Sequence, residues 1–286
     1  MDIIRSFENH LIKEIKKLHQ RKHREKSGRF IIEGIRLVEE GLSAGALHVI
    51  FYSASLLERK KGSELLDKIK LYISEAKNEH VLFHEVSEAV LNLLSETDTP
   101  QGIVAVAKRR RYSIDEYVPE GEYQLIVIVD ALQDPGNLGT LMRTSLACGA
   151  KAIICLPGTV DPFNGKAIRS SMGSIFNIPI VIAEKWEDVY KWCRTNNYCI
   201  AAGSTKATQL YTDIKYPHKV ALVIGNEGQG FINILPEQID IMIKIPLLNE
   251  VESLNASVAG AVMLYEILRQ KTAKTCHDCF ECDIIP

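Results

Sequence analysis

The chain has 286 residues, of which 46% are hydrophobic and 24% are charged, a composition typical of a globular protein with one large or two ordinary domains. Its formal net charge of −2 excludes a protein that is basic over its whole surface, and no apolar run is long enough to span a membrane. The N-terminal stretch MDIIRSFENHLIKEIKK lacks the apolar core of a signal peptide, so we expect a cytoplasmic protein.

The first hundred residues alternate between helical and strand patterns. Residues 1–26 predict one basic amphipathic helix with an apolar face that contains Leu11, Ile12, Ile15 and Leu18. Residues 30–33 form a short apolar run, strands are predicted over residues 49–52, 81–84 and 102–107, and helices are predicted over residues 34–41, 63–76 and 87–94. The alternation predicts a small α/β domain over residues 1–107. Residues 108–122 begin with four basic residues and contain Pro119 and Gly121, which indicates a linker.

The second half begins with the uninterrupted apolar run LIVIV at residues 125–129, which is typical of a parallel strand buried on both faces. Further apolar runs occupy residues 152–156, 178–182, 198–202, 220–224 and 241–245. Helical patterns lie between several of them, at residues 138–148, 166–175 and 187–195. We therefore predict a parallel α/β domain over residues 123–272, followed by a tail of residues 273–286.

Seven cysteines are present, and those at positions 148, 155, 193 and 199 lie inside apolar segments. Such cysteines behave as small buried hydrophobic residues, so we expect no disulfide framework. In the tail, Cys276, Cys279 and Cys282 have two C-x-x-C spacings that suit a soft metal. We interpret the tail as flexible and without metal, and a metal site is the alternative.

The first candidate motif is DPGNLGTLMRTSLACGA at residues 134–150, which follows the LIVIV strand. We predict a turn, then a helix that starts near Leu138 and ends at Gly149. Asn137 is placed to cap this helix, and a helix arginine such as Arg143 is most often only exposed. The complete spacing from Asn137 through Arg143 to Gly149 is more specific than any of the three residues alone.

The second motif is VIGNEGQGF at residues 223–231. Its three glycines let the backbone adopt positive φ angles and approach a ligand closely. The spacing is not G-x-G-x-x-G, which disfavours a dinucleotide-binding fold. A tight loop without a ligand is the alternative interpretation.

The third motif is IPLLNEVESLNASVAGAVMLYE at residues 245–266. A strand ends at Ile245 and Pro246, a loop follows, and a helix is predicted over residues 256–269. Ser253 and Asn255 are both placed to cap that helix. The helix begins with small residues that permit close backbone approach: Ala256, Ser257, Ala259, Gly260 and Ala261.

In kind and order, these three motifs resemble the signature motifs of the SpoU/TrmH family, the RNA ribose 2′-O-methyltransferases of the SPOUT superfamily. The resemblance covers residues 124–270. It implies a parallel-sheet domain with a C-terminal trefoil knot, preceded by a small domain similar to ribosomal L30e. It also implies S-adenosyl-L-methionine as cofactor and a homodimer, for which the apolar helix over residues 257–268 is the candidate interface.

The same resemblance implies roles for individual residues. Arg143 would face the target ribose with the support of Asn137, and the other predicted catalytic residues are Glu227, Ser253 and Asn255. The predicted cofactor contacts are Ile224, Gly225, Gly228, Ile245, Pro246, Ser253, Leu254 and Ala259. Ile245 and Leu254 would enclose the adenine. This chemistry requires no metal.

The resulting hypothesis is an enzyme that methylates ribose 2′-hydroxyls in RNA. Large-subunit ribosomal RNA is favoured, because the L30e-like domain resembles that of family members acting on it. One alternative is a non-catalytic RNA-binding or ribosome-assembly factor with the same fold. Another is a methyltransferase that acts on a ribose of transfer RNA.

Two clusters of basic residues are candidates for RNA binding. Residues 13–29 contain eight basic residues against Glu14 and Glu25, and residues 108–111 are all basic. Local clusters of this kind supply phosphate affinity even when the net charge is near zero. The predicted RNA contacts are Lys16, Lys17, Arg21, Lys22, Arg24, Arg109 and Arg110. A solvated helix face followed by a basic linker is the alternative.

Overall fold

The computed structural model describes residues 3–74, 81–115, 117 and 119–273. The contacts between residues divide the chain into two compact units. The first contains Met1–Arg111 and Asp161–Asn177, and the second contains Tyr112–Val160 and Ile178–Pro286. The tail predicted to be flexible, with Cys276, Cys279 and Cys282, lies outside the described residues.

A four-stranded mixed sheet forms the centre of the first unit. Its elements from Met1 to Arg111 are α1 (His10–Lys16), α2 (Arg21–Ser27), β1 (Arg29–Glu33), α3 (Ile35–Ser43), β2 (Leu47–Tyr52), α4 (Ala54–Leu57), α5 (Lys60–Ser74), β3 (Leu82–Glu85), α6 (Glu88–Leu94) and β4 (Ile103–Lys108). The strand order is β1-β4-β2-β3, with β4 antiparallel to both neighbours and β2 parallel to β3. Residues 103–107 of β4 are at most 1% exposed. Because this strand is covered on both faces, each of its residues has to be apolar, which explains the unbroken apolar run.

The single helix predicted over residues 1–26 is wrong in extent. The chain instead forms α1, a 3-10 turn at Lys17–His19 and then α2. Gln20 separates the helical segments because its backbone is extended, with φ −92° and ψ 131°. The predicted apolar face is nevertheless buried at Ile12, Ile15 and Leu18. Periodicity therefore identified the buried side chains correctly, but it did not reveal the break in the backbone.

A seven-stranded sheet forms the centre of the second unit. The remaining elements in chain order are β5 (Gln124–Val129), α7 (Pro135–Ala147), β6 (Ala152–Cys155), α8 (Gly165–Ser171), β7 (Ile180–Ile182), α9 (Trp186–Thr195), β8 (Cys199–Gly203), β9 (Gln209–Leu210), β10 (Lys219–Ile224), β11 (Ile241–Lys244) and α10 (Ala256–Ala273). The order is β7-β6-β5-β10-β8-β11-β9, and every neighbouring pair is parallel. The predicted parallel sheet is confirmed.

The pairing of β5 with β10 places the first two motifs side by side. Val129 and Ile224, the last residues of these strands, are register partners. The backbone N–H of Asp130 also donates to the carbonyl of Ile224 at 2.8 Å. Since ligands of parallel α/β sheets bind outside the carboxyl ends of the strands, this edge is where a site is expected.

The segment Asp161–Asn177, which contains α8, belongs to the first unit although the sequence on both sides of it belongs to the second. Its Phe163 ring lies 5.0 Å from that of Phe30, and the carboxylate of Asp161 binds the guanidinium of Arg24. The division inferred from sequence assigned this segment to the second domain. A sequence pattern shows that a helix has an apolar face but not which core that face packs against.

The four cysteines in apolar segments form no disulfide, and Cys148, Cys155 and Cys193 are buried. Burial raises the pKa of the Cys148 thiol to about 11 and that of Cys193 to about 12, so both stay protonated at neutral pH. This agrees with their interpretation as small hydrophobic residues. Within the described ranges, no helix is both long and apolar enough to cross a bilayer.

Candidate active site

The turn after β5 begins with a buried carboxylate. Asp130 is 0% exposed and accepts from the backbone N–H of Ile232 at 2.8 Å and from that of Asn233 at 3.1 Å. The side-chain amide of Asn233 donates to Asp130 at 2.6 Å and to the carbonyl of Pro157 at 2.9 Å. Asp130 therefore fixes the chain that leaves the glycine loop against the end of β5.

Helix α7 is capped by Asp134 and not by Asn137. The Asp134 side chain accepts from the backbone N–H of Asn137 at 2.8 Å, and Pro135 occupies the first turn. The helix thus starts earlier than predicted, and the predicted capping role of Asn137 is wrong. An aspartate followed by proline is the stronger start signal, because proline fixes a helical φ where no backbone donor is needed. The side chain of Asn137 is left for other contacts.

The freed amide of Asn137 joins all three motifs. Its nitrogen donates to Glu227 at 3.1 Å, and its oxygen accepts from the side-chain amide of Asn255 at 2.9 Å. The Ser257 hydroxyl donates to the same Asn137 oxygen at 3.4 Å. We call Glu227, Asn137 and Asn255 the amide chain. Its two hydrogen bonds connect residues 90 and 118 positions apart, so the three loops have to meet at one place.

Glu227 is held as an ionised acceptor. Burial opposes its ionisation, but hydrogen bonds from its own backbone, from the Asn137 amide and from the N–H groups of Gln133 and Asp134 together lower the pKa of this carboxyl. The last two donors lie 3.3 Å from the carboxylate oxygens. A carboxylate engaged by this many donors is a poor proton acceptor, so the geometry favours a positioning role.

The glycine loop is closed by Asn226. Its backbone N–H donates to the carbonyl of Gly230 at 2.7 Å, and its side-chain oxygen accepts from the N–H of Gly228 at 2.9 Å. A Cβ on Gly225 would lie 2.7 Å from the Gly230 oxygen, whereas a Cβ on Gly228 would find its nearest neighbour at 3.8 Å. Of the three glycines only Gly230 has a positive φ, of 75°. The expectation that all three supply backbone freedom is therefore too broad.

In the third motif, Asn255 caps α10 and Ser253 does not. The Asn255 side-chain oxygen accepts from the N–H of Ser257 at 2.9 Å and from that of Val258 at 3.3 Å. Ser253 is exposed and has no hydrogen bond within the described part of the chain. Ser253 thus remains free to contact a ligand, while Asn255 is fixed by both its cap and Asn137.

The small residues of α10 have a packing role. A Cβ on Gly260 would lie 2.8 Å from the Leu141 side chain of α7, and Ser257 is only 5% exposed. Close approach of α10 to α7 brings Asn255 within reach of Asn137. Ala259 is half-buried, so its predicted cofactor contact is limited to a partly accessible surface.

The other predicted cofactor residues differ in accessibility. Ile224 is 4% exposed and its carbonyl accepts from Asp130, so its side chain belongs to the sheet core. Ile245 is half-buried, Pro246 is exposed and Leu254 is 37% exposed. Further large apolar side chains near the ends of β10 and β11 are also exposed: Ile232, Leu235, Leu248 and Val251. Apolar surface of this kind beside backbone turns indicates a binding surface.

Arg143 lies on the exposed face of α7. It has no hydrogen bond or ion pair with any residue that the structure describes, and it is not part of the amide chain. Its five N–H donors are therefore available to a bound molecule.

Four residues of this site were not identified from sequence as site residues: Asp130, Asn226, Asn233 and Ser257. Asp130 and Asn226 share a signal that was available, since each is a polar residue at or just beyond the end of an uninterrupted apolar strand. Asn233 had no such signal, because its role depends on the loop folding back to Asp130.

The predicted RNA contacts also fall into different surroundings. Lys17 and Arg21 form surface ion pairs with Glu14 and Glu25. Arg24 is 7% exposed and its guanidinium binds Asp161 at 2.6 Å, so we withdraw it as an RNA contact. Lys16 and Lys22 are exposed.

In the second basic cluster, Arg109 stacks on the ring of Phe163 at 4.7 Å, and Arg110 donates to the carbonyl of Ala44.

Both halves of the chain match known families. Residues 124–265 match the SpoU rRNA Methylase family, and residues 9–105 match the MRM3-like substrate binding domain. The Bacillus subtilis 23S rRNA (guanosine(2553)-2′-O)-methyltransferase RlmP is 34% identical over 271 residues, which are 93% of this chain and 99% of that protein.

Solved structures with bound cofactor are also similar. The AdoMet-bound rRNA methyltransferase from Sinorhizobium meliloti gives a TM-score of 0.81 at 29% identity and covers 94% of this chain and 98% of that one. The AdoMet complex of the SpoU methyltransferase AviRb from Streptomyces viridochromogenes gives 0.82 at 25% identity and covers 93% and 99%.

The parallel sheet, the three joined loops and these similarities define the class as S-adenosylmethionine-dependent RNA 2′-O-methyltransferases of the SPOUT type. The chain belongs to the SpoU rRNA methylase family. The enzyme class, the cofactor and the substrate-binding domain predicted from sequence are thereby confirmed.

Proposed function

We propose that this chain methylates a ribose 2′-hydroxyl of large-subunit ribosomal RNA at the loops joined by the amide chain. The observation that carries the proposal is the pair of hydrogen bonds by which Asn137 links Glu227 to Asn255, at 3.1 and 2.9 Å. A binding protein without chemistry has no need to align these three loops. Similarity to RlmP, whose name gives 23S rRNA as its substrate, supports the ribosomal target.

The residues present fit S-adenosylmethionine. The exposed apolar side chains of Leu248 and Leu254 suit the faces of an adenine, and the glycine loop offers accessible backbone. In our proposal Gly225, Gly228, Ile245, Pro246, Ser253 and Leu254 hold the cofactor. Ile224 contributes to the cofactor site because β10 ends at this residue and the glycine loop begins after it. Ala259 contributes the part of its surface that is accessible. The bound cofactor supplies an electrophilic methyl on a sulfonium.

The chemistry that bound S-adenosylmethionine would supply is an in-line displacement: the ribose O2′ would bond to the methyl carbon, and the electron pair of the carbon–sulfur bond would leave with sulfur. The protein has to place the hydroxyl on the far side of the methyl and allow one proton to depart. Arg143, with its donors unoccupied, orients the hydroxyl and the neighbouring phosphate. Because arginine stays protonated and Glu227 is a poor acceptor, the proton passes to water or to a phosphate oxygen.

The proposal includes a homodimer in the cytoplasm. On α10, Val258 is 50% and Tyr265 is 55% exposed, although the opposite side of the helix is buried at Met263 and Leu264. A second copy of the chain would cover this apolar face. Sedimentation velocity at micromolar concentration should give the mass of a dimer, and Val258→Asp combined with Tyr265→Ser should shift it to the monomer. A wild-type monomer would contradict this part of the proposal.

The substrate is tested with purified protein and tritium-labelled S-adenosylmethionine. Label should enter 23S rRNA that lacks its natural methylations and should not enter 16S rRNA or transfer RNA. Mapping of 2′-O-methyl groups then identifies the nucleotide. Transfer of label only to transfer RNA would overturn the proposed substrate, and cofactor binding without transfer to any RNA would favour a non-catalytic factor.

A further inference from the structure

One end of the first unit's sheet carries cations on neighbouring strands. Arg29 begins β1, Lys108 ends β4, and the antiparallel register makes these two residues direct partners. Both are exposed. Like charges directly opposite one another on paired strands destabilise a sheet. An anion bound between them would remove that repulsion.

Arg110 and Arg111, which follow shortly after Lys108 in the chain, are each held by a backbone carbonyl. An N–H of Arg110 donates to the carbonyl of Ala44 at 3.3 Å, and an N–H of Arg111 donates to the carbonyl of Glu25 at 3.1 Å. Backbone carbonyls fix the direction of a guanidinium but leave its charge uncompensated. Both side chains therefore remain oriented and positively charged, which reduces the entropy that binding would cost.

A buried and unpaired polar atom lies at the same end of the sheet. His48 occupies the irregularity in β2 between Leu47 and Val49. Its Nδ1 is buried and has no hydrogen-bond partner among the described residues. The register of β2 with β4 pairs Leu47 with Ala107, so His48 lies beside the end of β4 that carries Lys108. Burial lowers the pKa of His48, and the charges of Arg29 and Lys108 lower it further.

These cations differ from those of the N-terminal segment. Among the described residues, none of Arg29, Lys108, Arg110 and Arg111 forms an ion pair. By contrast, Lys13 pairs with Glu8, Lys17 with Glu14 and Arg21 with Glu25. The carboxylate of Glu25 is thus already engaged, although its carbonyl lies beside Arg111.

We propose that Arg29, Lys108, Arg110, Arg111 and His48, the sheet-end cluster, form the surface on which the first unit binds RNA phosphates. The proposal rests on the proposed function, because it names the surface that receives the RNA substrate. An unpaired cation releases bound counterions when it meets a phosphate, whereas a paired cation must first give up its carboxylate. Phosphate contacts carry no base information, so the cluster positions RNA without selecting its sequence.

The test compares two variants that each lose four positive charges. The first combines Arg29→Ala, Lys108→Ala, Arg110→Ala and Arg111→Ala. The matched control combines Lys13→Ala, Lys68→Ala, Arg194→Ala and Arg269→Ala, all of which are exposed residues paired with a carboxylate. The affinity for transcribed 23S rRNA is measured by filter binding between 50 and 200 mM salt. Circular dichroism and urea unfolding verify that both variants fold.

The cluster variant should bind rRNA at least about tenfold more weakly at low salt, and its salt slope should fall by about 3, which corresponds to four lost phosphate contacts. The control should stay within about threefold of the wild type. A similar loss for an unrelated RNA of equal length would support phosphate contacts. A double variant with Arg110→Ala and Arg111→Ala should give about half the change in salt slope. Because both residues lie outside the strands, this variant can replace the larger one if that one does not fold.

Equal losses in both variants would overturn the inference, because net charge alone would then explain binding. Unchanged binding by the cluster variant would overturn it as well, even if wild-type protein methylates rRNA normally. Failure of the wild type to methylate any RNA would instead count against the proposed function, and the comparison of the two variants would still decide where RNA binds.

Discussion

In the first unit the guanidinium of Arg24 is buried against Asp161, whereas in the second unit Arg143 stands on the exposed face of α7 without a partner among the described residues. Both arginines lie on helices, and both were predicted to meet RNA. Arg24 also donates to the carbonyls of Leu18 and His19, so its donors are used within the unit. The function of an arginine therefore depends on which of its N–H donors already have partners in the fold.

The polar groups around the two arginines differ in the same way. Around Arg24 the first unit joins opposite charges at a buried position, which ties the segment Asp161–Asn177 to the N-terminal helices. Around the candidate active site the second unit instead joins two neutral amides and one carboxylate. The first arrangement serves stability, and the second aligns loops without neutralising the cation that we expect to meet the substrate.

The largest effect is expected on methyl transfer when the exposed Arg143 is removed. Arg143→Ala should lower methyl transfer by at least about a thousandfold, equivalent to about 4 kcal/mol of transition-state stabilisation. Cofactor affinity in calorimetry should stay within about twofold, because Arg143 makes no contact with the glycine loop. Arg143→Lys should restore little activity, since lysine lacks the planar fork of donors. Near-normal turnover in Arg143→Ala would contradict the role that we assign to it.

Removing the partner of the buried Arg24 should lower the stability of the protein. Asp161→Ala leaves the charge of Arg24 uncompensated and should lower the free energy of unfolding by about 3 kcal/mol. Glu14→Ala, which breaks the exposed surface pair with Lys17, is the control and should leave the free energy of unfolding nearly unchanged. Urea unfolding followed by circular dichroism measures both. A loss below about 1 kcal/mol for Asp161→Ala would mean that water reaches Arg24 and would return it to the candidate RNA contacts.

The glycine loop should show a smaller effect confined to the cofactor. Gly225→Ala forces a Cβ to within 2.7 Å of the Gly230 carbonyl oxygen, so the loop has to shift. We expect a cost of about 2 kcal/mol, which is about a thirtyfold rise in the cofactor Kd by calorimetry. Gly228→Ala is the comparison variant: Gly228 is also a proposed cofactor contact, but its Cβ meets nothing closer than 3.8 Å within the protein, so the loop need not shift and the rise in Kd should be smaller. If both variants bind the cofactor equally, the close approach at Gly225 has no bearing on the site.

The amide chain should give the smallest effect. A double-mutant cycle with Asn137→Ala and Asn255→Ala should yield a coupling of about 1 kcal/mol in kcat/KM. Asn255→Asp preserves the cap of α10 but removes the amide that donates to Asn137, so it separates the two functions of Asn255. If this variant keeps full activity, the bond between the two asparagines is not needed to align the loops.

The helices and strands that sequence predicted best are those whose patterns are local and unbroken. The run LIVIV became the buried strand β5, and the run GIVAVA became β4, because a continuous apolar run of this length, rich in β-branched residues, is typical of a strand covered on both faces. The N-terminal helix was predicted less well, since the extended backbone at Gln20 leaves the apolar periodicity unchanged. A pattern of burial does not require that the helix be continuous.

The candidate site shows the same division. The motif residues Asn137, Glu227 and Asn255 were selected from their resemblance to a family, and the structure brings them within hydrogen-bond distance of one another. The residue that caps α7 was predicted wrongly as Asn137, because Asp134 and Asn137 are both residue types that cap helices well and the choice depends on where the preceding strand ends.

The sequence by itself determined the class of protein: local runs and motif order are written along the chain, and they specified a parallel sheet, three loops and a cofactor chemistry. Only the tertiary structure decided which polar groups were already engaged. It buried Arg24 against Asp161, which is 137 positions away, and left Arg143 exposed. The physical reason is that an ion pair or a hydrogen bond depends on distance in space, and distance in space between remote residues is fixed only when the chain has packed.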